Sequence, residues 1–229
     1  MRHRYCRYRA MKSLNMRTIE DQRNIMIREH LMGRGILDQA VLKAMREVPR
    51  EEFIHEHQRG QAFGDHPLPI DGGQTISQPY IVAYMTEALE LNAADNVLEI
   101  GTGSGYAAAV LSRIITSVYS VERLGRLALS ARQRLEQLGY TNIIIHEGDG
   151  TLGWPAHAPY DAIVVTAGAP SVPEPLLKQL AIGGRLVIPV GPSTDLQVLV
   201  RVRRVSEHDY HREQLCGVRF VPLIGAAGW

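Results

Sequence analysis

Cysteine is scarce in this chain: Cys6 and Cys216 are the only two among 229 residues. That number excludes a disulfide framework, and the pair matches no metal-ligand spacing. A reducing compartment follows, and the cytoplasm is the expected location. An excess of one charge is missing as well. Lysine and arginine number 25 against 24 acids, a formal net charge of +1, so the chain as a whole lacks the basic field of a dedicated nucleic-acid binder. No apolar run approaches the roughly 20 residues of a membrane-spanning helix. The basic start, Met1-Arg2-His3-Arg4-Tyr5-Cys6-Arg7-Tyr8-Arg9, is not followed by the apolar core of a secretory signal. Residues 1–16 read as a basic flexible tail, with Met11 and Met16 as alternative starts. Internal repeats and low-complexity linkers are absent too.

What is present is ordinary globular balance, 45% hydrophobic and 21% charged, enough for one sizeable α/β domain over residues 17–229. Apolar residues recur at helical steps from Glu20 to Val48, with Gly33 and Gly35 dividing two helices and Pro49 ending the second. Residues 63–78 carry Pro and Gly clusters and read as a long ordered loop. Ser77 is placed to cap a helix over Pro79–Leu91. From Asn96 onward short apolar strands alternate with helices. The expected strands are Val97–Ile100, Val118–Val121, Ile143–His146, Ala162–Thr166, Arg185–Ile188, Gln197–Arg203 and Cys216–Val221. Expected helices cover Tyr106–Ile115, Gly125–Leu138 and Leu176–Leu180. This alternation predicts a doubly wound, mostly parallel seven-stranded sheet with helices on both faces and an N-terminal helical extension. The polar segment Ser206–Glu213 would join the last two strands as an antiparallel hairpin.

The sharpest local signal is Val97-Leu98-Glu99-Ile100-Gly101-Thr102-Gly103-Ser104-Gly105-Tyr106. A buried strand enters a glycine-rich turn and a helix follows, so the backbone can approach a ligand without Cβ clashes. The spacing is G-x-G-x-G rather than the G-x-G-x-x-G of a dinucleotide site. Glu99, two positions before the first glycine, would repel a pyrophosphate but suit the cationic amino-acid end of S-adenosylmethionine, directly or through water. Glu122 closes the second strand, where a carboxylate can accept both ribose hydroxyls. Asp149 follows the third strand, placed to accept from an adenine amino group with Gly150 beside the ring. Singly, each acid reads as a solvated loop carboxylate. Jointly they converge on the crevice at the strand ends where open α/β sheets bind ligands.

At this point the chain resembles the protein-L-isoaspartate (D-aspartate) O-methyltransferases. The matching stretches are Pro67-Leu68-Pro69-Ile70, Gly73-Gln74-Thr75-Ile76-Ser77-Gln78-Pro79, the glycine-rich turn, Gly148-Asp149-Gly150, Ala158-Pro159-Tyr160-Asp161-Ala162-Ile163, Gly183–Gly191 and Val218-Arg219-Phe220-Val221-Pro222-Leu223. The resemblance spans roughly residues 18 to 224, and the Gln74–Pro79 segment is its most specific part. It implies a class I S-adenosylmethionine-dependent methyltransferase. Residues 17–92 would form a helical and loop cap over the active site, and 93–229 the donor-binding core with a C-terminal substrate strand. It implies S-adenosyl-L-methionine as methyl donor, with S-adenosyl-L-homocysteine as product. Donor-binding residues would be Thr75, Ile76, Glu99, Gly101, Thr102, Gly103, Ser104, Gly105, Glu122, Arg123, Asp149 and Gly150. Thr75, Ile76, Ser77, Gln78, Val221, Pro222 and Leu223 would hold the substrate, and Ser77 is the implied catalytic residue. The expected partners are isoaspartyl-containing peptides and proteins, with no nucleic acid, membrane or metal, and the chain is expected to be a monomer. Ile224 stands where some relatives carry a polar residue, and the tail Gly225–Trp229 matches nothing in the pattern.

A carboxylate acceptor is already ionised at pH 7, with a pKa of about 4, so no general base is required. Alignment and exclusion of water are the work left to the protein. Ser77 suits a hydrogen-bonding role; no Gly-x-Ser-x-Gly elbow surrounds it. Phe63 reads as core and Tyr80 as a possible substrate contact. His55, His57 and His66 lack a completing ligand set and read as surface histidines. Arg201-Val202-Arg203-Arg204 reads as a solvated strand face. Two rivals stand beside this reading. A nucleic-acid methyltransferase would need an Asp/Asn-Pro-Pro-aromatic motif where this chain has Val165-Thr166-Ala167-Gly168-Ala169-Pro170. A scaffold that lost catalysis would not need Ser77, Glu99, Glu122 and Asp149 in one set.

Overall fold

The computed structural model describes residues 18–229. The basic tail at 1–16 and Cys6 lie outside the described residues. Helix α1 (Ile19–Ile25) opens on a capping box, in which Asp21 N–H donates to the Thr18 hydroxyl and the Asp21 carboxylate accepts from Thr18 N–H. It runs into a π-helical turn, Met26–Leu31, that buries Met26, Ile27 and Leu31. The chain breaks at Gly35, with φ of 94°. Asp38 then caps helix α2 (Gln39–Glu47) by accepting from Ala40 N–H and Val41 N–H at 2.8 and 3.1 Å. The apolar face of α2, Val41, Leu42, Ala44 and Met45, is buried against Tyr106, Ala109 and Val110 of the core.

The stretch expected to be loop contains a small antiparallel hairpin, β1 (Leu68–Pro69) with β2 (Thr75–Ile76). Helix α3 (Pro79–Ala88) follows, with Gln78 at its N-cap position and no side-chain cap. The capping role open to Ser77 is therefore not used. Pro79 in the first turn has no N–H to satisfy and its fixed φ starts the helix instead.

The core alternates as the sequence predicts. Strands β3 (Asn96–Ile100), β4 (Ser117–Glu122), β5 (Ile143–Glu147), β6 (Tyr160–Val165) and β7 (Leu180–Ser193) pair in parallel, and β8 (Leu196–Arg204) and β9 (Tyr210–Val218) complete a meander of antiparallel pairs. The seven strands lie in the order β5-β4-β3-β6-β7-β8-β9. Helices α4 (Tyr106–Leu111), α5 (Gly125–Gln137) and α6 (Glu174–Gln179) fill the crossovers.

The last strand departs from expectation. It begins at Tyr210, inside the polar segment expected to be a loop, and ends at Val218 rather than Val221. At a sheet edge both faces of a strand can meet water, so β9 pairs through a polar ladder that carries no apolar alternation. Arg201 and Glu213, directly opposite in register, form an ion pair at 2.6 Å. The arginines of β8 are accordingly paired rather than merely solvated: Arg201 and Arg203 both reach Glu90, and Arg204 bonds main-chain carbonyls including Leu180 O.

After Val218 the chain crosses back over the strand ends. Gln197, nearly fully buried, stands in for a neighbouring strand by accepting from Phe220 N–H at 2.8 Å and donating to Phe220 O at 3.2 Å. Gly168, just past β6, then brackets the crossing segment: its N–H donates to Val221 O at 2.8 Å and its carbonyl accepts from Leu223 N–H at 2.7 Å. This return path puts residues 221–224 over the end of β6, beside the glycine-rich turn.

Candidate active site

The turn after β3 forms the floor of an inner cavity. Gly101 has φ of +96°, and a Cβ there would stand 2.4 Å from Thr166 Oγ1. Only glycine meets both demands. The Thr166 hydroxyl, at the end of β6, donates to Gly101 O at 2.7 Å and so ties the turn to the neighbouring strand. Glu122, the last residue of β4, holds the turn from the other side. One of its carboxylate oxygens accepts from Gly103 N–H and the other from Leu124 N–H, each at 2.9 Å. Each oxygen keeps a second lone pair, and the residue lines the cavity.

Of the residues expected at the donor, Thr75, Ile76, Gly101, Thr102, Gly103, Ser104, Glu122, Arg123 and Gly150 line this cavity, beside the apolar Ile100, Val121 and Leu124. Three do not. Glu99 is fully buried under the turn, where the Ser120 hydroxyl donates to it and Thr102 joins the chain through Ser120 at 2.6 Å. Desolvation pushes its carboxyl up to about 8, against the lowering effect of the Ser120 bond. Glu99, expected to serve a cationic ligand directly or through water, does not itself line the cavity; Thr102 does, and Glu99 is joined to it from behind through Ser120. Gly105 also sits off the cavity, with φ of +89° at the N-cap of α4.

Asp149 is engaged by the C-terminal tail. Its Oδ1 accepts from the N–H and hydroxyl of Thr151 at 2.9 and 2.7 Å, and its Oδ2 accepts from Ala226 N–H at 2.8 Å. Partial desolvation pushes its carboxyl up, but the Ala226 and Thr151 donors outweigh that and hold it below the usual range. The carboxylate expected to face adenine is not among the residues that line the cavity, and it anchors residues 225–229 beside Gly150. The tail is closely fitted. A Cβ on Gly225 would stand 2.0 Å from Asp149 Oδ1, Ala227 N–H donates to the Thr151 hydroxyl at 3.0 Å, and Trp229 Nε1–H donates to Gly168 O at 3.0 Å.

A second, outer groove runs beside the cavity. Thr75, Ser77, Gln78, Val221 and Pro222 line it, together with Pro67, Ile81, Gln197 and Phe220. Ile76 and Leu223, expected to touch substrate, line the inner cavity only. Four residues, Thr75, Ser77, Val221 and Pro222, line both spaces and form the wall between them. The Ser77 side chain is half-buried, and its hydroxyl makes no hydrogen bond among the described residues. Gln78 is braced from outside, its Nε2–H donating to Asp65 O at 2.9 Å.

Other expectations resolve as follows. Phe63 is core, and Tyr80 stacks on Tyr84 under the Arg34 guanidinium, 3.5 Å from its centroid, away from both cavities. His55 stacks on His57, and among the described residues no group of three His, Cys, Asp or Glu converges on a metal site. No helix among them is long and apolar enough to cross a membrane. Ile224 lines the inner cavity as an apolar wall. Thr166, Gln197 and the tail escaped the sequence reading because their roles lie in contacts between segments far apart in the chain.

A seven-stranded, mostly parallel sheet with a glycine floor, apolar walls and a strand-end acid defines a class I S-adenosylmethionine-dependent methyltransferase. The absence of a Cβ at Gly101 and Gly103, the apolar Ile100, Val121 and Leu124, and the half-free carboxylate of Glu122 suit a nucleoside ligand. The profile of the protein-L-isoaspartate(D-aspartate) O-methyltransferases matches residues 21–228. The chain is similar to protein-L-isoaspartate O-methyltransferase 2 of Pelobacter propionicus, 71% identical over 224 residues, covering 97% of this chain and 100% of that one. A solved protein-L-isoaspartate O-methyltransferase superposes with a TM-score of 0.81 at 32% identity, over 92% of this chain and 67% of that one. A Plasmodium falciparum structure described as a candidate for the same activity, in complex with S-adenosyl-L-homocysteine, gives 0.76 at 26% identity, over 89% and 98%. The chain belongs to the protein-L-isoaspartate(D-aspartate) O-methyltransferase family.

Proposed function

We propose that the wall shared by the two cavities is where methyl transfer takes place, with the donor in the inner cavity and an isoaspartyl carboxylate arriving through the outer groove. The enzyme transfers a methyl group from S-adenosyl-L-methionine to the free α-carboxylate of L-isoaspartyl residues in damaged proteins, which starts their repair to aspartyl. The observation that carries the site assignment is the position of Thr75, Ser77, Val221 and Pro222 on both spaces at once.

The inner cavity would hold the donor through the 101–104 turn, Glu122, Arg123 and Gly150, with Thr75 and Ile76 closing it. Bound there, S-adenosyl-L-methionine supplies an electrophilic methyl group on a sulfonium. Ser77, whose hydroxyl is free, donates to one carboxylate oxygen of the acceptor and so orients the other. The acceptor enters ionised, so no side chain needs to take a proton. In the 221–223 segment Val221 N–H and Pro222 O have no partner among the described residues, which suits recognition of an extended peptide by main-chain hydrogen bonds. Selection would then rest on the displaced backbone of the isoaspartyl linkage rather than on neighbouring side chains. The apolar walls keep water from the acceptor oxygen. The near-neutral charge supports a protein substrate over nucleic acid. We further assign the chain to the cytoplasm, in keeping with its two cysteines, and to a monomeric state.

Labelled S-adenosyl-L-methionine offered with an isoaspartyl peptide and its ordinary aspartyl counterpart tests this reading. Transfer to the isoaspartyl form alone is expected; equal labelling of both, or of neither, rejects it. Ser77→Ala should lower turnover at least tenfold while S-adenosyl-L-homocysteine still binds normally by calorimetry. Full turnover in that variant would remove Ser77 from the reaction.

A further inference from the structure

Resting on that reading, one residue outside both cavities accounts for how Ser77 is held. Arg50 opens the short 3-10 turn Arg50–Phe53 and is completely buried, with 0% exposure. A buried guanidinium is costly unless charge or hydrogen bonds compensate it. Here no carboxylate lies within ion-pair distance among the described residues. The group is held instead by two carbonyls and an aromatic face. Its Nε–H donates to Ala62 O at 2.8 Å and its Nη2–H to Ser77 O at 2.7 Å. Its central carbon stands 4.7 Å from the centroid of Tyr106, a residue that lines the inner cavity. Nη1 is buried without a partner among the described residues.

The fork of an arginine suits this task because two of its nitrogens reach separate carbonyls at a fixed angle, which a lysine cannot do. It clamps residue 62 of the cap to residue 77 of the loop. The neighbouring Gln78 side chain repeats the connection through Asp65 O at 2.9 Å. The peptide unit between Ser77 and Gln78 is thus held at the Ser77 carbonyl, and the adjoining Gln78 side chain ties the next residue to the same cap segment, which restrains the main chain that carries the Ser77 side chain. The free Ser77 hydroxyl stands next to this grip, on the shared wall.

We propose that Arg50 is a positioning residue for methyl transfer, fixing the main chain of Ser77 so that its hydroxyl meets the acceptor carboxylate. It touches neither ligand and acts through Ser77 alone.

The test compares Arg50→Lys, Ser77→Ala and the double variant with the unsubstituted enzyme, using an isoaspartyl peptide and S-adenosyl-L-methionine. For Arg50→Lys, kcat should fall at least tenfold, with the peptide KM and the S-adenosyl-L-homocysteine dissociation constant within twofold. In the Ser77→Ala background the same change should cost less than a further twofold, because no hydroxyl is left to place. Hydrogen exchange should quicken at residues 75–78 and stay unchanged at 97–105. Full turnover in Arg50→Lys, losses that multiply in the double variant, or loss of S-adenosyl-L-homocysteine binding in Arg50→Lys would each overturn the proposal, the last by showing a purely structural role. An unsubstituted enzyme inactive on the peptide would reject the proposed function instead. Exchange at 75–78, which needs no turnover, would still show whether Arg50 holds the loop.

Discussion

Glu99→Gln should remove most of the decline in stability that the protein shows between mild acid and weak alkali. Glu99 is fully buried and its carboxyl is pushed from 4.5 up to about 8, chiefly by desolvation. In the unfolded chain the same carboxyl loses its proton near 4.5. Because the folded value is the higher one, the stabilising contribution is complete below about 4.5, declines as pH rises, and is gone above about 8. At 1.36 kcal/mol per pH unit the interval corresponds to about 5 kcal/mol, an order-of-magnitude ceiling that water penetration and adjustment around Ser120 would reduce. Glutamine keeps an acceptor for Ser120 and cannot ionise. Its amide leaves a buried donor unpaired, at a cost of about 1–3 kcal/mol at every pH. The variant should therefore be less stable than the parent at pH 5, and the two curves should converge or cross by pH 9. Urea unfolding at half-unit steps from pH 5 to 9, without donor, measures this directly. Parallel curves across that range would refute the inference that Glu99 is protonated in the folded enzyme at neutral pH.

Glu122→Ala removes two charge-assisted bonds that shape the turn and the carboxylate offered to the donor. At about 1.5–3 kcal/mol for such a bond, S-adenosyl-L-homocysteine affinity should drop by roughly ten- to a hundredfold in calorimetry; an unchanged affinity would take Glu122 out of the donor site. Gly101→Ala forces a Cβ to 2.4 Å from Thr166 Oγ1 at φ of +96°. A lower melting temperature and lost donor binding are expected, and restored binding in Gly101→Ala with Thr166→Ala would trace the loss to that contact. Gly225→Ala cannot keep the tail on Asp149, since the new Cβ would stand 2.0 Å from its oxygen. In a Trp154→Phe background Trp229 is the one tryptophan left, and its emission should move to the red; an identical spectrum would show that the tail is not docked.

Much of the fold was legible because the α/β alternation after Asn96 depends on local apolar runs, the central strands β3 and β6 being buried on both faces. That same burial hid the direction of Glu99. Leu98, Glu99 and Ile100 are all buried, so period-two patterning could not say which face the acid joins. The glycine turn and Glu122 were readable, since strand-end geometry is set within a few residues. The tail's hold on Asp149 was not readable because one of its donors, Ala226 N–H, comes from 77 residues further along. The edge strand was misplaced for a related reason: its stability comes from paired polar groups rather than apolar spacing. Arg50 gave no signal, because an arginine after a proline in a polar stretch reads as surface until the chain folds over it.

The return of residues 221–224 across the strand ends has a bearing on how the enzyme is made. Ribosomes release the glycine turn long before the segment that completes its cavity, so the α/β core must stand for a time with its binding chamber open on one side. Contacts across so many intervening residues form late and slowly. A nascent or truncated chain would carry the glycine-rich turn and yet have no closed chamber in which to use it.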